Sequence, residues 1–331
     1  MTDPTGLLNR DVVVTGGAGA IGSRLVQRAL RDGARQVVVV DDFSSGYEWL
    51  LPHDGRLRVV RGDVTTLPML LPTGGENAIV FHLAAFFANQ NSVDHPTDDL
   101  HTNGLGTLVV LKWAAERAAR RIVYASAGCS IAGHNLDEPI REDMPVSLNL
   151  DTPYQITKAL GEFYCNYYQS QVETVRCRFF NSYGPGEIPG PYRNVIPNWV
   201  WLALHQQPLT ITGTGDETRD FIFVDDLVDG LVRCATVVQA SGEAFNLGTG
   251  IQTRVRDLAE AIVATTDSSS PIVYAPRRPW DHSLRRQANI EKARVTLGLD
   301  PRVRLTDGLA STVEWFRAHR DRIAAEVKAL P

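Results

Sequence analysis

Cysteine is scarce in this 331-residue chain: Cys129, Cys165, Cys177 and Cys234 are widely spaced and form no Cys-x-x-Cys pair. That spacing argues against a disulfide framework and against a thiolate zinc site, so no metal is expected and a reducing cytoplasm fits. A basic surplus is also missing. With 33 Lys+Arg against 38 Asp+Glu, the net charge of −5 makes nucleic acid a poor partner. Short basic pairs such as Arg277-Arg278 and Arg285-Arg286 read as solvated surface or as a local anion site. No apolar run approaches the roughly 18–20 residues that span a bilayer. The polar stretch Met1–Arg10 lacks the apolar centre of a signal peptide. The expectation is a soluble cytoplasmic protein with no membrane partner.

What is present is an alternation of short β-branched runs and helical periodicities. Asp11–Thr15, Gln36–Val40, Leu57–Val60, Ala78–Leu83, Arg121–Ser126 and Arg176–Phe180 read as strands. Between them, Ser23–Asp32, Leu105–Ala119 and Thr152–Gln169 read as helices. That order predicts an α/β fold, a doubly wound parallel sheet of Rossmann type. The texture changes after Phe180. A Gly- and Pro-rich stretch, 184–197, precedes helices at Val195–His205 and Asp225–Val238, then mixed short elements and a final charged amphipathic helix. A smaller, interleaved C-terminal α/β lobe is expected there.

The first strand runs directly into Gly16-Gly-Ala-Gly19-Ala-Ile-Gly22 and then into a helix. Glycines at 16, 19 and 22 let the backbone approach a pyrophosphate, and the helix N-terminus supplies unpaired N–H groups and a partial positive charge. Asp41 lies 19 residues beyond Gly22, at the end of the second strand, with Asp42 beside it. A carboxylate there meets ribose hydroxyls and repels a 2′-phosphate, which selects NAD over NADP.

Further on, Tyr154-Gln-Ile-Thr-Lys158 sets a phenol and an ammonium four residues apart, on one face of a helix. A free tyrosine titrates near pH 10, so service as a base near neutrality requires a neighbouring cation. One ammonium about 4 Å away, at an effective dielectric near 20, contributes about 4 kcal/mol. The pair can therefore act as a general acid and base.

In this order these motifs resemble the extended short-chain dehydrogenase/reductase family, particularly its NAD-dependent nucleotide-sugar epimerases and dehydratases. The similarity runs from about Val12 to Trp315. It includes Thr15–Gly22, Val40-Asp-Asp-Phe-Ser-Ser-Gly46, Gly62-Asp-Val64, Phe81-His-Leu-Ala-Ala85, Asn103, Tyr154-x-x-x-Lys158, Arg178–Pro185 and Gly213–Asp226. The resemblance implies that Gly16, Gly19, Ala20, Ile21, Gly22, Asp41, Asp42, Ser44, Ser45 and Gly46 cradle the cofactor, with Asp63 and Val64 at the adenine. It gives Leu83, Ala84 and Ala85 to the diphosphate and nicotinamide side, Asn103 to support of the active-site helix, and Lys158 also to the nicotinamide ribose. Asn181, Asn194, Val195, Arg219 and Arg278 would hold the diphosphate of a UDP-sugar, because guanidinium forks match phosphate oxygens. Asp281, in the run Arg278–Arg286 that resembles UDP-glucose and UDP-glucuronate epimerases, and Phe87, where one branch carries lysine, would border the substrate. Arg193 is placed to meet a hexuronate carboxylate or to lie on an exposed loop. Residues 1–183, with 220–250 returning to them, would form the NAD domain; 184–219 and 251–331 would form the sugar lobe. A homodimer is implied, with Phe163, Tyr164, Tyr167 and Tyr168 either on the shared face or buried within the monomer.

One departure falls where the chemistry happens. Counting back from Gly133, the position at which the family carries a Ser or Thr hydroxyl is Gly128. Ser126, Ser130, water or a backbone group must take its place. The next two positions hold Cys129 and Ser130 where related 4,6-dehydratases carry an Asp-Glu pair. Elimination of water needs both an acid and a base there, so the expected activity is 4-epimerisation of a UDP-hexose or UDP-hexuronate through a 4-keto sugar. Dehydration, another redox reaction such as decarboxylation, and a silent NAD-binding regulator are the rivals.

Overall fold

In the computed structural model, residues 6–128, 133 and 138–327 are described. Six strands come first: β1 (Asp11–Thr15), β2 (Gln36–Asp41), β3 (Leu57–Arg61), β4 (Ile79–His82), β5 (Arg121–Ala127) and β6 (Glu173–Phe179). They are followed by β7 (Asn181–Tyr183), β8 (Leu209–Thr212), β9 (Thr218–Arg219), β10 (Phe221–Phe223), β11 (Ala244–Leu247), β12 (Thr253–Arg254) and β13 (Ile272–Ala275). Seven of these form one parallel sheet in the order β11-β6-β5-β4-β1-β2-β3. Val12, Val14, Val37, Val39, Val80, Ile122 and Val123 are fully buried, as the inner strands of a sheet covered on both faces require. The Rossmann-like α/β fold expected from the sequence is therefore the fold of the protein.

Strand order reverses between β1 and its two neighbours, β2 and β4. A crevice opens at such a switch point, beyond the carboxyl ends of the strands. The helix Ala20–Arg31 starts there and buries Leu25, Val26, Ala29 and Leu30 against the sheet. It begins three residues before Ser23, because Ala20–Gly22 of the glycine motif already form its first turn. Likewise β6 starts at Glu173, not Arg176. A π-helical stretch, Leu100–Gly106, leads into the helix Thr107–Glu116.

The later chain is interleaved. Beyond β6, β7 pairs with β10, β9 with β12 and β8 with β13, while β11 returns to the edge of the main sheet. The helix Val224–Thr236 packs on Ala20–Arg31, tied by Arg24 to Asp225 at 2.7 Å. No described helix is long and apolar enough to cross a membrane. Among the described residues, no cluster of His, Cys, Asp and Glu could hold a metal ion.

Candidate active site

The crevice is a cleft of about 530 Å³, walled on one side by the glycine loop and the ends of β2–β4, and on the other by the helix Pro153–Tyr168 and the 179–194 segment. At its floor Gly16 and Gly22 are obligatory. A Cβ on Gly22 would lie 2.1 Å from the Gly16 carbonyl oxygen, and one on Gly16 would meet the Ala84 backbone at 2.6 Å. Gly19 caps the following helix without any side-chain bond, and no acidic residue occupies its first turn. The N–H groups and positive end of that helix are thus left open to an anion. These features fit the diphosphate of NAD.

Asp41 is buried, and its oxygens accept the Ala18 and Phe43 N–H groups at 2.9 and 2.8 Å. The same carboxylate therefore pins the glycine loop to the turn after β2 and keeps lone pairs for a ribose. Burial pushes its pKa up. Asp42 is exposed and accepts from the Ser44 backbone and hydroxyl. Ser44, Ser45 and Gly46 line the same end of the cleft, with Ala20 and Ile21. Asp63 spends its carboxylate capping Thr65 at 2.7 Å, and it lines the cleft with Val64.

Leu83, Ala84 and Ala85 continue the wall from β4 toward the reacting end. Just behind them His82 is fully enclosed, bonded to Thr15 Oγ1 at 2.7 Å and Thr107 Oγ1 at 3.0 Å. Burial, then the Lys158 charge, pushes its pKa down to about 3, so it stays neutral. Asn103 does not reach the cleft. It bonds both backbone atoms of Phe86 and the Asp99 carboxylate, which in turn accepts from Thr157 at 2.7 Å. Its part is to tie the β4 exit to the Tyr–Lys helix.

That helix presents Tyr154 and Lys158 into the cleft, 8% and 3% exposed. Thr152 caps it and Pro153 begins it. Lys158 Nζ donates to the Ala125 carbonyl at 2.9 Å and sits 5.7 Å from the Tyr154 ring centre. Phe87 meets the Tyr154 ring edge-on at 5.9 Å, a neutral wall where a lysine would add charge.

Ser126 lines the cleft but commits its one proton to Glu162 Oε1 at 2.6 Å. Arg178 grips the same carboxylate at 2.9 and 2.8 Å in a buried ion pair. The hydroxyl thus remains an acceptor toward the cleft rather than a donor. At Gly128 a Cβ would lie 2.6 Å from the Phe180 ring, so that ring fills the space a serine would need. Ser130 and Cys129 lie outside the described residues.

The substrate side differs more from expectation. Asn181, Arg193 and Asn194 line the cleft; Val195, Arg219, Arg278 and Asp281 do not. Val195 packs on the core at the start of the helix Val195–Leu204. Arg219 is clasped to Asp281 at 3.5 Å and to the Thr218 carbonyl. Burial, then the neighbouring Arg286 charge, pushes its pKa down to about 10. Arg278 is exposed, over the Trp280 ring. Instead Arg286 enters the cleft, which the sequence read as surface or a local anion site. Glu187 also enters, buried and bonded to Asn194 Nδ2 at 3.0 Å, its pKa pushed by burial to about 7. A buried carboxyl inside a Gly/Pro loop gives no periodic signal that could have marked it.

Residues 12–248 match the model of the NAD dependent epimerase/dehydratase family. The chain belongs to that family. It is 36% identical to a UDP-glucose 4-epimerase of Mycolicibacterium smegmatis over 92% of this chain and 98% of that protein. It is also 33% identical to UDP-glucuronic acid decarboxylase 4 of Arabidopsis thaliana, over 92% of this chain and 68% of that one. An epimerase structure from Methanothermobacter thermautotrophicus superposes with a TM-score of 0.94 at 43% identity, covering 98% and 97% of the two chains. A Bordetella bronchiseptica enzyme in complex with NAD+ and UDP does so with a TM-score of 0.84 at 37% identity, covering 97% and 96%. This family member is therefore an NAD-dependent enzyme, and the relatives just named act on or bind nucleotides and nucleotide sugars.

Proposed function

We propose that the protein is an NAD-dependent nucleotide-sugar 4-epimerase acting on a UDP-hexose or UDP-hexuronate. The observation that carries this reading is the entry of Tyr154 and Lys158 into the same cleft as the glycine cradle, at its far end. NAD held by Gly16, Gly19, Gly22 and Asp41 would supply a reversible hydride acceptor for the sugar C4. Tyr154 removes the proton of the C4 hydroxyl and later gives it back to the ketone oxygen. Lys158, anchored by the Ala125 carbonyl, holds positive charge beside the phenol and stabilises its ionised form. Phe87 and Phe180 exclude water from the reacting end.

Arg286, with Arg219 and Arg277 close behind, forms a cationic corner toward the UDP diphosphate. Asn181 and Asn194 add amide donors beside it. Arg193 lines the cleft but donates to the Ser45 carbonyl at 2.8 Å, so a hexuronate carboxylate would have to draw it off that turn. Cys129 and Ser130 stand in place of an acid–base pair and disfavour dehydration. The decarboxylases among the relatives make loss of the C6 carboxylate the second reading.

A homodimer belongs to the same proposal. Ile156, Phe163 and Tyr167 are exposed on the Tyr–Lys helix, whereas Tyr168 is buried and Tyr164 packs on the core. Incubation of the purified protein with UDP-glucose and UDP-glucuronate, followed by NMR, tests the reaction. A C4 epimer formed without net NADH supports it; a pentose or a dehydrated product refutes it. Tyr154→Phe is expected to lower turnover about 10²–10⁴-fold while NAD stays bound.

A further inference from the structure

The turn after β2 is held from three directions. Toward the glycine loop, the Tyr47 N–H donates to the Ala18 carbonyl at 3.0 Å, and Gly46 lies so close that a Cβ would come within 2.9 Å of Ala18. From the sugar side, Arg193 Nη2 reaches across to the Ser45 carbonyl at 2.8 Å and also hydrogen-bonds the Tyr47 side chain. From the C-terminal end, Trp315 stacks on Trp49 with ring centres 6.0 Å apart and planes 10° from parallel. His319 stacks on the same indole at 5.7 Å, and the Arg322 guanidinium lies over it at 5.5 Å.

Trp315 lies on the helix Leu305–Ala318, Arg322 on the helix Arg320–Glu326, and His319 is the residue that joins them. Neither helix contributes a residue to the cleft wall. Their grip on Trp49 nonetheless fixes a segment whose Ser44, Ser45 and Gly46 line the adenosine end of the cleft. Aromatic stacks and cation–π contacts of this kind add to the hold that the turn's own backbone bonds provide.

We propose that residues 43–50, locked by Arg193 and by the Trp49–Trp315–His319 stack, form a clasp that retains NAD. Trp49 and Trp315 act as positioning residues: they touch no reacting atom and set how long the cofactor stays. An enzyme that regenerates its NAD in every cycle benefits from slow release. The inference rests on the family's use of NAD and not on which sugar reaction follows.

The test measures NAD alone, with no sugar present, so its failure is separate from failure of the epimerase reading. Purified wild type, Trp49→Ala, Trp49→Phe and Trp315→Ala are gel-filtered, and NAD content and dissociation rate are recorded. Loss of one such stack is expected to speed release about tenfold. Trp49→Phe, which keeps a ring, stays near wild type, and activity of Trp49→Ala returns with added NAD. The melting temperature of the cofactor-free form separates clasp from scaffold. If the alanine variants melt earlier yet release NAD at the wild-type rate, or if wild type itself releases NAD as fast as they do, the proposal is overturned. Should Trp49→Ala fail to fold, Arg193→Met opens the clasp from the other side; unchanged release in that variant also overturns it.

Discussion

The two halves of the cleft are built by different rules. The cofactor half is made of backbone: glycines without room for a Cβ, a helix N-terminus without a competing side chain, and Asp41 binding one loop to another. The substrate half is made of long side chains from two segments far apart in the chain, Glu187 on the 184–194 stretch and Arg286, each set among other charges. Backbone geometry is local and survives as a motif. Side-chain geometry depends on which of several arginines wins the position.

That contrast can be broken most severely at Gly22. In Gly22→Ala the new methyl would overlap the Gly16 carbonyl, and overpacking of about 1–3 kcal/mol should weaken NAD binding about 10–100-fold. Isothermal titration of the cofactor-free protein checks this. Unaltered affinity would mean that the loop is not a steric cradle.

On the substrate side, Arg286→Met should raise KM for the UDP-sugar about tenfold or more, since charge-assisted bonds contribute about 1.5–3 kcal/mol. Arg278→Met, on an exposed side chain over Trp280, should change it by less than about threefold. Initial-rate kinetics on both variants sharpen the comparison; the reverse ranking would restore the reading made from sequence order.

Glu187 gives a smaller effect, visible only against pH. Its folded pKa, about 7, exceeds its ordinary value of 4.5, so the native state holds a proton that the unfolded chain has released. Stability is therefore full below about pH 4.5 and falls as pH rises to about 7, by an upper bound of about 3 kcal/mol. Glu187→Gln should melt higher than wild type at pH 8 and near wild type at pH 5. Parallel melting curves across that range would contradict the buried, protonated carboxyl.

How much of this was written in the sequence follows the same division. The parallel sheet, the glycine loop, Asp41 and the Tyr154–Lys158 pair are each set by neighbours within one turn or one strand. Alternation and spacing reveal such features. Arg286 and Arg278 are indistinguishable by spacing, because the fold, through Arg219, Asp281 and the Thr218–Arg285 bridge, decides which one turns inward. Ser126 looked free to bond substrate because nothing local announces Glu162, which lies a turn beyond Lys158 and reaches back to β5. Gly128 read as a missing hydroxyl; only packing shows that Phe180 occupies its place.

The central claim is that Tyr154 and a retained NAD carry hydrogen off one sugar carbon and return it to that same carbon. Incubating the wild-type protein with UDP-glucose or UDP-glucuronate deuterated at C4, in ordinary water, tests it most directly. The expected product is a C4 epimer that keeps its deuterium at C4, with no NADH accumulating. An epimer carrying solvent protium at C4 would contradict it.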